Sequence, residues 1–340
     1  MATISPSWTQ VHPSFIEPDI LLQYNQASGA FDALAGGDPR VKIGSEDLYV
    51  YIKRFDIRTR VASGQQAYNQ LPNVNVAMSM LSVPTYLNRV RAEYDHHDTA
   101  ATAEWGASIV EVQRLGMRQG HFQLLRNMLL YGNLPGNNEG LINAPNAVTV
   151  SLSPDTSGNT TFVTYDNGQL AIFFLTQIAA LKTRTMQFGM PNRFVVLGPQ
   201  RILGGMATQN IVQLTSYQRP GAGTATTKGV IDLVEGDNGD DIVWAYDDTL
   251  IGKGANGVDA VLLIMPEVKK PVGRPFNTNE FAQIAPGLDA CSLQYLDMAA
   301  PREIPTPLAG GAIDVLSEWR ATPGWLVRPE ALSIISIQYQ

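Results

Sequence analysis

A chain of 340 residues is long enough to bury one or two cores, and its 44% hydrophobic content with a mean hydropathy of −0.06 is the balance of a soluble globular protein. Its 24 basic and 31 acidic residues give a net charge of −7, which excludes a protein that coats nucleic acid, because that role needs surplus cations to neutralise phosphates. Charged residues make up only 16%, against ~25% in an average domain, so much of the surface is uncharged, as expected where other subunits cover it.

The first 45 residues read as an extended arm. Pro6, Pro13, Pro18 and Pro39 interrupt regular structure and Gly29, Gly36 and Gly37 loosen it. Trp8, Phe15, Ile16, Leu21, Leu22 and Phe31 are too apolar for a purely solvated tail. From Arg54 to Val61 the residues alternate, with Arg54, Asp56, Arg58 and Arg60 on one face and Phe55, Ile57, Thr59 and Val61 on the other. Tyr86 to Asp95 repeats the pattern, setting Arg89, Arg91, Glu93 and Asp95 against Tyr86, Val90, Ala92 and Tyr94. Two such runs around a polar tip, Gly64 to Gln70, predict a long antiparallel hairpin pairing these two segments. A ribbon of that kind shelters its apolar face poorly and must dock, on its own domain or on a neighbour.

Asp98-Thr99 starts a helix, and Trp105, Ile109, Val112, Leu115, Phe122, Leu125 and Leu129 form the apolar stripe of a single rod of roughly 30 residues, about 45 Å long. Gly116 and Gly120 within it imply a bend or a close backbone approach. The rod ends at once in Tyr131-Gly132-Asn133-Leu134-Pro135-Gly136-Asn137-Asn138-Glu139-Gly140-Leu141-Ile142-Asn143. Beyond a Ser/Thr/Asn-rich segment, a second helix begins at Asp166 with Gln169 placed for a capping box, and Leu170, Phe173, Phe174, Ile178 and Leu181 form its buried stripe. Gly189 and Pro191 end it, Arg193 to Gly198 reads as a strand, and Pro199 opens a further short helix.

Seven acidic residues and no Lys or Arg fall between Gly229 and Asp248. Their spacing does not fit a calcium loop, and Asn238-Gly239 predicts a solvated hairpin turn. The chain closes with a strand pair, Ile313 to Trp319 and then Trp325 to Ile337, around a turn at Thr322-Pro323-Gly324.

Chemical motifs are sparse. There is no Gly-x-Ser-x-Gly elbow, phosphate loop, dinucleotide fingerprint or His-Glu-x-x-His. Cys291 is the only cysteine, which excludes an intrachain disulfide and a cysteine zinc cluster, and it reads as a buried small apolar residue. His96 and His97, between Asp95 and Asp98, form an exposed strand-to-helix junction whose neighbouring rings point to opposite faces. No catalytic group, cofactor or metal is expected. The N-terminus lacks the basic region and apolar run of a signal peptide, and no apolar run nears the ~18 residues of a spanning helix, so synthesis in a cytoplasm and no membrane partner are expected.

The Gly/Asn/Pro turn ending in Gly-Leu-Ile-Asn after a long helix resembles the major capsid proteins of tailed bacteriophages with the Hong Kong 97-type fold. The ordered set of arm, hairpin, helix, helix-strand-Pro-helix segment and Val327-Arg328-Pro329-x-Ala331 ending extends the resemblance over nearly the whole chain. It implies an α+β fold with an N-terminal arm (1–45), an extended hairpin or E-loop (46–97), a spine helix of a peripheral domain (98–139), an apical domain (140–265) and a returning sheet of the peripheral domain (266–340). It implies too that the subunit self-assembles into pentamers and hexamers of an icosahedral head shell enclosing phage DNA without sequence-specific binding. Scaffold, portal and decoration proteins would be further partners. An encapsulin-like compartment shares the fold, and a phage-tail or adhesive binding module is the more remote alternative. Some family members crosslink through a lysine at the hairpin tip; residues 64–73 hold none, so that chemistry is not carried over. Trp8 and Phe15 on the arm, with Arg54, Arg58, Arg60, Arg89 and Arg91 crowding one hairpin face, are the expected intersubunit contacts. The acidic first 47 residues and the Gly229 to Asp248 segment supply carboxylates for the arginines.

Overall fold

The computed structural model describes residues 40–41, 43–58, 75–104, 108–185, 187, 191–209, 226–269, 290–292, 294–295, 297–308, 311–326 and 329–340. The arm with Trp8 and Phe15, the hairpin tip and Arg60 lie outside the described residues. In chain order the principal elements are β1 (Tyr49–Arg58), β2 (Asn75–Pro84), β3 (Tyr86–Tyr94), α1 (His96–Glu104), α2 (Ile109–Tyr131), β4 (Val148–Ser151) and α3 (Asn167–Thr185). These are followed by β5 (Arg193–Gly198), α4 (Gln200–Thr208), α5 (Thr227–Asp237), β6 (Asp241–Tyr246), β7 (Asp259–Ile264), β8 (Arg302–Pro307), β9 (Ile313–Ala321) and β10 (Leu332–Ile337).

A hairpin forms, but with a different partner from the expected one. β1 pairs with β2, in register from Tyr49 opposite Pro84 to Arg58 opposite Asn75. β3 instead pairs along its whole length with β9, from Tyr86 opposite Ala321 to Tyr94 opposite Ile313. Alternation marked a strand in both segments, and β3 alternates between partly buried and exposed residues along its length; a period of two carries no information about which strand lies alongside. The segment 75–94 is thus one strand bent at Thr85, whose first half builds the ribbon and whose second half enters a sheet ordered β8-β9-β3.

The expected single rod is two helices. Asp95 and Asp98 cap α1 reciprocally, Asp98 N–H donating to Asp95 Oδ1 at 2.8 Å and Asp95 N–H to Asp98 Oδ2 at 3.2 Å. Ser108, extended at φ −98° and ψ 110°, starts α2 afresh and accepts from Glu111 N–H at 3.5 Å. Ser108 and Glu111 have the Ser-x-x-Glu spacing of a capping box, a start inside the expected rod that was not singled out from the sequence. α2 has 23 residues, about 35 Å. Gly116 and Gly120 neither break it nor pack closely, since a Cβ at either would meet nothing within 4 Å.

α2 lays Met117, His121, Leu125 and Met128 on the β3–β9 sheet, where Leu125, Met128, Leu129, Met298, Trp319 and Ala321 form a small core. The larger core lies around a second sheet ordered β4-β10-β7-β5-β6. Here α3 packs Leu170, Phe174, Ile178 and Leu181, each at most 0% exposed, while Phe173 is only partly buried. Asp166 caps α3 by accepting Gln169 N–H at 2.8 Å, but the Gln169 side chain bonds Thr156 instead of completing the expected capping box. Every residue of β7 and β10 is buried, which is why they read as apolar runs without alternation.

β10 also corrects the expected C-terminal strand pair. β9 pairs with β8 and β3, whereas β10 crosses to the other sheet between β4 and β7. An apolar run such as Leu332 to Ile337 needs cover on both faces, and only the larger core provides it. Similarly, Asn238-Gly239 is not a hairpin turn. Gly239, at φ +82°, ends α5, with Gly239 N–H donating to Gly236 O and Asp240 N–H to Glu235 O.

These surroundings give two glycines opposite responses to alanine. Gly116→Ala should raise subunit stability by ~0.5–1 kcal/mol, because the site is helical and open. At Gly140, with φ +82° and a Cβ that would sit 2.5 Å from Gly132 N, alanine should cost more than the ~1–3 kcal/mol of backbone strain alone. Chemical denaturation of the two variants checks both signs.

Candidate assembly surfaces and the junction that carries them

The turn after α2 is where all the principal parts meet. Gly132 (φ +71°) and Gly140 (φ +82°) run back to back, and Gly324 closes on them with its N–H on Met128 O and its carbonyl accepting Gly140 N–H, both at 2.8 Å. Leu141 and Ile142 N–H donate to Leu129 O and Leu130 O at 3.1 Å, so the free carbonyls at the end of α2 are satisfied. Asn143 Nδ2 bonds the Tyr131 and Glu139 carbonyls, and Tyr131 Oη reaches Thr249 in the larger body.

Glu139 is 6% exposed in this turn. Its Oε2 accepts the N–H groups of Asn133 and Leu134 at 3.1 and 2.9 Å, and its Oε1 accepts Tyr86 Oη at 2.5 Å. A carboxylate is an acceptor only, which suits a cage of donors. Burial, together with the neighbouring Glu139 carboxylate, pushes the Tyr86 phenol up to about 12. Just before Tyr86, the bend residue Thr85 donates to Asp47 O from its hydroxyl and to Leu48 O from its amide. Arg320 of β9 ties both strands of the ribbon's root, with Nε on Ser45 O at 2.7 Å and Nη1 on Thr85 Oγ1 at 3.3 Å. None of Glu139, Thr85, Tyr86 or Arg320 was singled out from the sequence. The one available signal was a lone acid inside a turn rich in backbone donors.

The ribbon that leaves this clamp presents apolar surface. Tyr49, Tyr51 and Met80 are 54, 62 and 65% exposed. In the observed register Tyr51 lies opposite Ser82, two residues from Met80, and Tyr49 is two residues from Tyr51, so Tyr49, Tyr51 and Met80 share one face.

The expected arginine cluster does not assemble. Arg54 and Arg58 lie in β1, opposite Ser79 and Asn75, whereas Arg89 and Arg91 are on the outer face of the β3–β9 sheet and have partners within their own chain. Arg89 Nε lies 3.4 Å from Glu318, and Arg91 bonds Asp314 at 2.8 Å and Glu93 at 3.0 Å. The cross-strand register sets these pairs, and it follows from the altered pairing of β3.

The acidic 229–248 segment is not a solvated turn. Glu235 and Asp240 are buried and share the Lys182 ammonium of α3, with Lys182 Nζ 2.5 Å from Glu235. Burial pulls the lysine down, but the hydrogen bonds and charges of Asp240 and Glu235 leave it above its ordinary value. Burial likewise raises Glu235, with Lys182 opposing it. His96 and His97 are exposed as expected, but they lie in the first turn of α1 with ring centroids 3.9 Å apart, so their rings do not point to opposite faces. Among the described residues no group of three or more His, Cys, Asp or Glu side chains could hold a metal ion. Nor is any described helix long and apolar enough to cross a membrane. Cys291 lies in a short strand opposite Val268.

No family profile and no curated protein sequence matches the chain. Among solved structures, the capsid of Myoviridae phage XM1 is similar over 95% of this chain and 96% of its own, with a TM-score of 0.63 at 9% identity. The capsid of cyanophage P-SCSP1u covers 100% of both chains (TM-score 0.56, 10% identity), and that of an empty GTA particle covers 96% and 95% (TM-score 0.55, 9% identity). The chain has the fold of tailed-phage major capsid proteins.

The Tyr86–Glu139 bond makes the junction sensitive to alkali. The folded phenol titrates at about 12 against an ordinary 10.0; its stabilising contribution is therefore complete below pH 10.0 and is lost as pH rises through about 12. Tyr86→Phe should cost ~1–3 kcal/mol at neutral pH by removing a donor from a buried carboxylate. It should also flatten the alkaline limb of a denaturation-midpoint profile relative to wild type.

Proposed function

We propose that this chain is the major capsid protein of a tailed bacteriophage, a structural subunit that builds the icosahedral head shell enclosing the phage DNA. The observation that carries the proposal is the ribbon. In a chain with a capsid fold from end to end, a two-stranded element presents Tyr49, Tyr51 and Met80 to solvent when it has too few strands to shelter them itself. Tyrosine-rich patches of this kind are favoured at interface centres. A contact between a ribbon on one copy and a different surface on the next is heterologous, and such contacts form rings where the rotation between copies closes. Pentamers and hexamers are the rings a shell needs.

In this reading α2 with the β3–β9–β8 sheet is the peripheral domain. The body around β4, β10, β7, β5 and β6 is the apical domain near symmetry axes, and the ribbon and residues 1–45 are straps between neighbours. Trp8, Phe15, Arg54, Arg58 and Arg60 remain candidate contacts on those straps, while Arg89 and Arg91, held in their own sheet, are not. The subunit would be made in a host bacterium's cytoplasm and end in the virion, with scaffold, portal and decoration proteins as further partners. Its role is geometric rather than catalytic.

Expressed and purified, the protein should elute as rings or shells of megadalton size and show closed particles in negative stain. A monomer at all concentrations in near-physiological salt overturns the proposal. Shells that hold a protein cargo and never DNA point to an encapsulin-like compartment instead. Tyr51→Ser with Met80→Ser should lower shell yield severalfold while changing subunit stability by no more than ~0.5 kcal/mol, the usual scale for exposed positions.

A further inference from the structure

His121 lies on the buried face of α2 at 8% exposure, with its ring centroid 5.2 Å from that of Trp319 on β9, itself 2% exposed. Neither His121 Nε2 nor Trp319 Nε1 has a hydrogen-bond partner among the described residues. An unpaired ring nitrogen is tolerable while the imidazole is neutral. A charged imidazolium carries two donors and a full charge, and His121 Nε2 has no hydrogen-bond partner in place to accept from it.

The surroundings are apolar or neutral on nearly every side. From β3 the inner-face residues are Tyr86, Asn88, Val90, Ala92 and Tyr94, and from β9 they are Val315, Ser317, Trp319 and Ala321. Among the described residues the one carboxylate acting on His121 is Glu303 of β8, and that is engaged 3.3 Å from Arg114 of α2. On α2 itself the nearby cations are Arg114 and the exposed Arg118.

We propose that His121 is a proton-sensitive latch: neutral, it lets α2 lie on the β3–β9–β8 sheet, and charged, it loosens that contact and competes with Arg114 for Glu303. Burial holds the imidazole below its ordinary 6.5, with Glu303 opposing. The unfolded or released helix therefore takes up the proton first; the docked state is fully favoured above pH 6.5 and loses ground as pH falls below it. The larger body should not follow. Glu235 there has its pKa raised, principally by burial, so acid does not oppose its folded form, and Asp155, which burial pushes up but hydrogen bonds hold low, loses its contribution only below the ordinary 3.8, beneath the range tested. Acidification thus loosens one half of the subunit selectively. The inference rests on the packing of α2 alone and not on the shell reading.

Hydrogen exchange on the purified protein at pH 7 and pH 5, corrected for intrinsic rates, tests it with His121→Leu and His121→Gln as comparisons. Wild-type amides between Met117 and Leu129 should exchange roughly tenfold faster at pH 5, the scale set by one unpaired buried group, and those of both variants by less than about twofold. Amides of α3 should be unchanged in all three. Tryptophan emission should fall in the wild type with a midpoint below pH 6.5, and this step should be missing from the variants, because Trp319 is His121's ring neighbour. Wild-type α2 protection that is equal at both pH values, or an equal acceleration in the variants, overturns the proposal.

Discussion

The structure depends on a close approach of three backbone segments at Gly132, Gly140 and Gly324. A Cβ on Gly140 would lie 2.5 Å from Gly132 N, and one on Gly324 would lie 2.4 Å from Leu129 O. No side chain can intervene, so the end of α2, its turn and the segment after β9 hydrogen-bond directly. The Glu139 carboxylate then ties the turn to β3 through Tyr86. The orientation of helix, sheet and ribbon relative to the larger body is therefore set by backbone contact, which is far stiffer than contact through side chains.

The bend at Thr85 has a complementary role. A single segment runs through two environments, and changing partner at Thr85 from β1 to β9 swings the ribbon out of the body. Arg320 and the Thr85 hydroxyl brace the swing close to its origin, while further out the ribbon leaves Tyr51 and Met80 exposed. Rigidity is thus concentrated at the root, and adaptability is left to the part that would meet a neighbour.

Local periodicity was legible in the sequence: the alternation of β3, the stripe of α3, the Pro199 start of α4 and the Gly-Leu-Ile-Asn turn stand where the pattern put them, while β1 starts five residues before the expected Arg54. Choice of partner was not. Tyr86–Tyr94 has the same period whether it faces β1 or β9, and β2, with Val76, Met78 and Met80 against Ala77, Ser79 and Leu81, has too little polar contrast to announce itself. Lys182 lies far in sequence from the acidic segment it neutralises, so Glu235 and Asp240 read as solvated. Glu139 was hidden for a related reason, because its donors are backbone amides that no residue type reveals.

The altered pairing of β3 changes where assembly energy can come from. With Arg89 and Arg91 engaged by Glu318 and Asp314 in their own sheet, the outer face of that sheet is already largely neutralised. Partly exposed pairs of this kind are worth only ~0–1 kcal/mol each, and re-pairing them across an interface would gain little. Apolar area contributes ~25 cal/mol per Å² removed from water, and Tyr49, Tyr51 and Met80 together present the area that the arginines cannot replace. Combined with a chain only 16% charged, this means that in the proposed shell burial of the ribbon's apolar face, rather than charge pairing, would be the main source of cohesion. Such contacts strengthen, rather than weaken, as excluded salts are added.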